Sequence, residues 1–424
     1  IIGHDCRFGG QLFAETAAKV LAYHKIHVKL AKGFVSTPMV SLGVVKEKAS
    51  LGIVITASHN PPTYNGYKLK GDFGGPLLPN DISLVESLIP LENNIDVDAI
   101  TIQSYVEDGL INYIDLETMY CEHVKDNFDL DLINTSDMNF AYDAMFGSGM
   151  NVIKKLLPKT TLLHCDDNPG FLGIAPEPIY RNLREFSELI KSNNGIHCGL
   201  ATDGDADRIG LFDSAGKFID AHHLILLLIH YLVKYKGMSG KVVTAFSCSD
   251  KIKKICQHYG LEQETVKIGF KHIAGKMITE DVLLGGEESG GIATTGHIPE
   301  RDGIWMGLIL FEFMAKSGKT IEDLINEVYE IVGPFSFERI DLHLTDALKN
   351  KVIENCNKGR YSNFGDYKIV RTEDIDGYKY FFEDDSWLLI RPSGTEPVLR
   401  TYAESSSSEK AFDILNSVKS VIEA

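Results

Sequence analysis

Short apolar runs of β character alternate with stretches of helical length along most of the chain. Residues 1–5 read as a strand closing at His4-Asp5, with a helix over 10–23 behind it. The run 52–56 is β-rich and must stop at Ser58-His59-Asn60-Pro61. Proline cannot donate to a ladder, and it restricts the residue before it. The pattern then returns: a strand over 138–143 enters Gly147-Ser148-Gly149, with a helix behind. A strand over 199–202 enters a run of alternating aspartates, and a second, over 209–213, leaves it for a turn at 213–217. Residues 241–246 read as a further strand, followed by a helix over 250–259. The longest apolar run, 224–233, is broken by His230 and far too short for a bilayer, so it reads as a buried helix.

This alternation predicts βαβ units and largely parallel sheets. After Gly333-Pro334 the rhythm changes. More polar strands over 335–342 and 387–390, then a helix over 408–422 capped from Ser405–Ser408, predict a smaller α+β domain. A chain of 424 residues exceeds what one core supports. The expected domains are 1–105, 106–216, 217–332 and 333–424.

Composition narrows the field. The formal charge of −17 excludes nucleic acid or an anionic membrane as the main partner. Against that background any basic cluster concentrates positive potential, as a phosphorylated metabolite requires. Seven cysteines without a CxxC pair point to a reducing cytoplasm and no disulfide framework. No signal peptide is visible, and the chain opens on Ile1.

Four loops carry candidate chemistry. Ser58, at a strand's end beside His59, Asn60 and Lys68, is by itself an ordinary turn serine. Phosphorylated, it would carry a charge of about −1.5 to −2 and call for a metal and cations. Asp203, Asp205 and Asp207 alternate, so a curled backbone would converge three hard oxygen donors suited to Mg²⁺. A calcium EF-hand fails, since Arg208 stands where that loop needs glycine and Ser214 where it needs glutamate. Gly285–Gly291 is a hairpin or a ligand loop in which Glu287 and Ser289 can bond hydroxyls. Arg391-Pro392-Ser393-Gly394-Thr395 has the composition of a phosphate nest, with Arg400 near, although a salt-bridged turn reads the same. Lys271 and Arg301 each sit in a loop, where a surface charge is the ordinary reading. His222, His223 and His230 read as structural.

The four segments in this order resemble those of the α-D-phosphohexomutase superfamily, the phosphoglucomutase/phosphomannomutase enzymes, over essentially the whole chain. The resemblance implies three α/β domains with mixed sheets and a smaller C-terminal domain around a central cleft, each giving one loop. It makes Ser58 the phosphoserine, with Asp203, Asp205 and Asp207 binding Mg²⁺ together with an oxygen on Ser58. Glu287 and Ser289 would hold the sugar, and Arg391, Ser393, Gly394 and Thr395 the non-reacting phosphate. Arg7, His59, Lys68, Arg208 and Lys271 match positions around the reacting group. The implied reaction is reversible isomerisation of an aldohexose phosphate between O1 and O6, through hexose 1,6-bisphosphate, in a monomer or homodimer. Glucosamine phosphate as substrate, a metal-dependent sugar phosphatase and a non-catalytic sugar-phosphate sensor are the rivals. Two departures stand out. The family's first strand is missing before Ile1, and the sugar loop reads Glu287-Glu288-Ser289-Gly290-Gly291, with glycine where relatives often carry histidine.

Overall fold

Four sheets organise the computed structural model, which describes residues 1–392 and 398–423. The first sheet contains β1 (Ile2–His4), β2 (Val28–Ala31), β3 (Leu51–Ile55), β4 (Tyr67–Gly71) and β5 (Ile111–Ile114), in the order β4-β3-β1-β2-β5. All neighbours are parallel except β3 and β4. The helix expected over 10–23 spans Gly10–Tyr23 and buries Ala14, Ala18 and Ala22, one stripe at helical spacing. The sheet takes in residues beyond the expected boundary near 105, because β5 pairs with β2 and Ile111 is fully buried beside Ile2, Val28 and Ile53. The polar stretch before it crosses the surface.

The second sheet runs β10-β9-β8-β6-β7, from β6 (Phe140–Asp143), β7 (Thr161–Leu163), β8 (Cys198–Thr202), β9 (Ile209–Phe212) and β10 (Phe218–Ile219). The third runs β12-β11-β13-β14, from β11 (Lys241–Ala245), β12 (Gln263–Val266), β13 (Val282–Gly286) and β14 (Ile292–Thr294). The apolar run at 224–233 is a buried helix, Ala221–His230, continued by one wider turn. The helix Gly303–Ser317 is buried along nearly its whole length and packs against β8, β9 and β14. One continuous core therefore joins all three units.

The C-terminal sheet is antiparallel throughout and has its own core. It comprises β15 (Ser336–His343), β16 (Asn363–Phe364), β17 (Tyr367–Glu373), β18 (Tyr378–Phe382), β19 (Trp387–Pro392) and β20 (Val398–Ser405), in the order β15-β20-β19-β18-β17-β16. Alternation sorts its faces. Leu342, Leu388, Ile390, Leu399 and Ala403 bury one face together with Val352, Ala411 and Ile414 of the helices Asp346–Asn357 and Ser408–Glu423. The serine-rich approach to the last helix caps it, with Ser407 Oγ accepting the Lys410 amide at 3.3 Å. On the other face Phe381, Trp387, Leu389 and Tyr402 meet Phe246 of the third unit. Arg391 lies directly opposite Arg400, Arg400 opposite Asp341, and Arg339 opposite Tyr402. The register thus puts three arginines on the face that carries this contact.

No helix among the described residues is long and apolar enough to cross a membrane. All seven cysteines are free thiols.

Candidate active site

The loop after β3 holds Ser58 in a left-handed conformation, φ 51°. A non-glycine residue there is strained and persists only when its surroundings fix it. They do. Asp5 Oδ2 accepts the Thr56 hydroxyl at 2.6 Å, and Thr56 Oγ1 accepts the Ser58 amide at 2.8 Å. Arg7, buried and paired with Asp5, donates to the carbonyls of Ser58 and Asn60 at 2.6 Å and of Pro61 at 2.7 Å. Arg7 is therefore placed as the brace of this loop, its guanidinium spent on backbone oxygens.

The strained turn aims Ser58 at the aspartates. Its hydroxyl donates to Asp203 Oδ2 at 2.8 Å, across 145 residues of sequence. Asp203 Oδ1 accepts the amides of Asp207 and Arg208 at 2.9 and 3.0 Å, which curls the loop, and Ala206 takes φ 56° to complete it. Gly204 is needed for close approach, since a Cβ there would lie 2.7 Å from the Ser58 carbonyl oxygen. Asp203, Asp205 and Asp207 are fully buried and offer oxygens within 4.8 Å of one another.

Three buried carboxylates so close require compensation. Lys68 Nζ lies 3.0 Å from Asp205 Oδ2, which also accepts the Thr37 hydroxyl at 2.6 Å, and Arg301 donates to Asp207. Burial, reinforced by its two neighbours, pushes the Asp203 carboxyl well up. Burial also opposes charge on Asp205, but Lys68 and Thr37 outweigh it and hold that carboxyl far below its usual range. Burial lowers Lys68 as well, yet Asp205 and Asp207 win and keep it protonated. Asp205 Oδ1 and Asp207 Oδ1 are buried without a hydrogen-bond partner. Hard oxygens left unsatisfied in this way fit a divalent cation such as Mg²⁺.

His59 follows Ser58 with a buried, unpartnered Nδ1. Burial, then Arg208, Arg301 and Lys68, depress it to about 3, so it is neutral. The glycine-rich loop closes over the same place. The Ile209 amide donates to Gly290 O at 3.1 Å, and Arg208 and Gly291 form an isolated antiparallel bridge. Glu287 Oε1 accepts the Gly269 amide at 3.0 Å, and burial raises its carboxyl despite Arg301 nearby. His59, Arg208, Glu287, Ser289, Arg301 and Arg400 line a cavity of about 540 Å³ between these loops and the C-terminal sheet.

The structure therefore brings Ser58, His59, Lys68, Arg208, Glu287, Ser289 and the aspartates together. Arg391 stands at the end of β19, 3.3 Å from Asp376, next to Arg400 in register. Ser393, Gly394 and Thr395 lie outside the described residues. Lys271 is not brought into the cavity wall: it is exposed on the first turn of the helix Phe270–Met277, while its neighbours Gly269 and Phe270 face inward. Sequence reasoning missed Arg301 and Thr37, which lie far in sequence from the aspartates they touch. Of the three histidines, His223 and His230 are held in ion pairs, while His222 lines the cavity with its Nε2 buried and without a hydrogen-bond partner. His222 Nδ1 accepts the Ser249 amide at 3.1 Å, while His223 pairs with Asp220 and His230 with Glu327.

Comparison with known proteins finds four family models along the chain. Family models for phosphoglucomutase/phosphomannomutase match as alpha/beta/alpha domain I over residues 1–95, domain II over 118–216, domain III over 220–332 and the C-terminal domain over 348–420. A phosphoglucomutase/phosphomannomutase of Thermococcus kodakarensis is 30% identical over 419 residues, covering 98% of this chain and 88% of that protein. A phosphoglucosamine mutase of Methanococcus maripaludis is 31% identical over 435 residues, covering 100% and 91%. The crystal structure of a putative phosphomannomutase from Thermus thermophilus superposes with a TM-score of 0.86 at 30% identity, covering 100% of this chain and 90% of that one.

Proposed function

The chain belongs to the α-D-phosphohexomutase superfamily, whose enzymes are isomerases, and from that premise we propose that it moves a phosphoryl group between O1 and O6 of glucose or mannose phosphate. The observation that carries this reading is the Ser58 hydroxyl, held on a strained turn 2.8 Å from Asp203 of a buried aspartate trio, with its neighbour His59 lining a cavity that also bears Arg208, Arg301 and Arg400.

Asp203, Asp205 and Asp207, with an oxygen on Ser58, would hold Mg²⁺, which supplies charge neutralisation to a transferring phosphoryl group. The rest is the work of this chain's side chains. Phosphorylated Ser58 gives its phosphoryl group to the free hydroxyl of a hexose monophosphate. The resulting hexose 1,6-bisphosphate turns in the cleft, and Ser58 takes the other phosphate. Lys68 and Arg208 are fixed cations toward the charge that develops. Lys68, tied to Asp205, stays protonated and serves as a charge rather than a base. The neutral His59 takes the hydroxyl proton, and a phosphate on Ser58 would raise its basicity through its negative charge. Glu287 and Ser289 bond sugar hydroxyls, while Arg391 and Arg400 hold the phosphate that is not reacting.

The same reaction on glucosamine phosphate is the second reading, favoured by the 31% identity to a phosphoglucosamine mutase. The test is intact-protein mass spectrometry after incubation with glucose 1,6-bisphosphate, beside coupled assays on glucose, mannose and glucosamine 1-phosphates. One added phosphate on the Ser58 peptide, turnover in one of the assays and their loss in Ser58→Ala are expected. Inorganic phosphate released without isomerised sugar would make the protein a phosphatase. Normal sugar-phosphate binding with no turnover would make it a sensor.

A further inference from the structure

We propose that His222 is a substrate ligand of this site, its Nε2–H donating to an oxygen of the phosphate that is not reacting. The proposal rests on the phosphohexomutase reading above.

The place and the tautomer of the ring follow from its surroundings. His222 stands in the first turn of the helix Ala221–His230, where Asp220 caps the helix and accepts the His222 amide at 2.9 Å. The residue is buried, and its Nδ1 accepts the Ser249 amide at 3.1 Å from the loop after β11. An amide nitrogen can only donate, so Nδ1 carries no proton and the neutral ring holds its proton on Nε2. Burial keeps the ring neutral, lowering it to about 4 against Asp220 and Glu288. Nε2–H is therefore an obligatory donor, and it is buried without a hydrogen-bond partner among the described residues. A donor left in that state costs free energy that a merely structural histidine has no reason to carry.

The company of the ring points to a phosphate. His222 lines the cavity together with Arg339 and Arg400. Phe337 packs on the imidazole, with ring centroids 4.1 Å apart, and stands two residues before Arg339 on β15. Strand residues two apart share a face, as do residues directly opposite one another, and Asp341 lies opposite Arg400. The imidazole is thus set against the arginine face of the C-terminal sheet. Glu288 also lines the cavity and would compete for the donor, but its carboxylate is engaged by the Ser247 hydroxyl. A phosphate offers more acceptor oxygens than one guanidinium can use. A neutral donor adds a bond there without adding a third positive charge beside Arg339 and Arg400. Since His222 belongs to the third unit and the arginines to the C-terminal sheet, one phosphate held by both draws the two units together.

The alternative is that His222 only holds Ser249 and cushions Phe337. Two substitutions separate these roles in opposite senses. His222→Asn keeps an acceptor at the δ position for the Ser249 amide and lacks the ε donor, whereas His222→Gln carries an ε donor and lacks the δ acceptor. In a Ser58→Ala background with Mg²⁺, calorimetric titration with glucose 1,6-bisphosphate should show His222→Asn weakening binding about tenfold or more, with His222→Gln recovering most of it. With Ser58 intact, His222→Asn should raise the Michaelis constant for sugar phosphate about tenfold and change kcat less. Inhibition by inorganic phosphate, which brings no sugar hydroxyls, should weaken in parallel. If His222→Asn fails to melt cooperatively, long-range proton–nitrogen spectra of the ring, assigned through the Ser249 amide bonded to it, carry the test: bisphosphate should move the Nε2 resonance in the Ser58→Ala protein. The proposal is overturned if His222→Asn keeps bisphosphate affinity while His222→Gln loses it, if inhibition by inorganic phosphate is untouched, or if the Nε2 resonance stays in place. If the Ser58→Ala protein binds no hexose phosphate and the wild type turns none over, the functional reading itself has failed and this inference falls with it.

Discussion

The aspartate loop and the glycine-rich loop are sewn together by main-chain hydrogen bonds, whereas the arginine-bearing sheet meets them through side chains. On the first side Ile209 bonds Gly290, Gly303 bonds Ala206 and Thr37 bonds Asp205, all backbone to backbone at 3.0–3.1 Å and all above one shared core. On the other side the C-terminal domain has its own core and rests on Phe246 through an aromatic cluster. Beside that cluster Lys379, buried against the Trp387 ring, reaches Asp250 at 2.9 Å and the Cys248 carbonyl at 3.1 Å. The half that carries Ser58 and the trio is tied by these main-chain bonds over one shared core. The half that carries Arg391 and Arg400 is a separately cored module set on an aromatic and ion-paired contact. Such a division suits a substrate that must present either end to one serine, because chemistry needs fixed geometry and capture of alternate phosphates needs a part that can reposition.

The largest effect should come from the fixed half. Asp203→Asn is expected to lower turnover roughly 10³-fold or more, while the melting temperature holds or rises, since one of three crowded carboxylates has lost its charge. Turnover within tenfold of wild type would show that chemistry does not reside there.

A smaller effect of a different kind is expected at the contact of the module. Lys379→Met removes the buried partner of Asp250 and should cost docking about 3 kcal/mol. The expected signature is a Michaelis constant for sugar phosphate raised about tenfold, with kcat changed less. An equal fall in kcat with no change in the constant would mean that the module belongs to the rigid half.

The smallest effect concerns pH. Glu404 is 1% exposed at this contact, and burial, only partly offset by Ser249 and Lys379, raises its carboxyl to about 7. A carboxyl raised on folding binds more protons in the folded state, so stability falls as pH rises from the ordinary carboxylate range through about 7. Glu404→Gln should flatten that slope and raise the melting temperature by a few degrees near pH 8, at most about 3 kcal/mol. An unchanged slope in differential scanning calorimetry would remove Glu404 from the account.

Much of this was legible beforehand, for identifiable reasons. Strands such as 52–56 and 209–213, the buried run at 224–233 and the change of rhythm after Gly333 are local signals, set by side-chain alternation and by proline and glycine. Ser58 and the aspartates were legible because a strand end followed by Pro61, or three alternating acids, is odd enough to need a reason. β5 was lost because a short strand after a polar stretch resembles the start of something new, although Ile111 is buried in the first sheet. Arg301 reads as a surface charge in the sequence and in the structure lies on Asp207, while Arg7 stands against the loop it was matched to, donating to the Ser58 carbonyl.

The order of residues alone therefore determined the fold class, the change of sheet type along the chain and the serine and carboxylates that could meet, since periodicity and turn chemistry act over a few residues. Only the tertiary structure decided which cations stand among those carboxylates. The charge of a lysine or arginine is the same everywhere in a sequence; what it does depends on burial, and burial depends on which strand, helix or glycine from another domain lies across it.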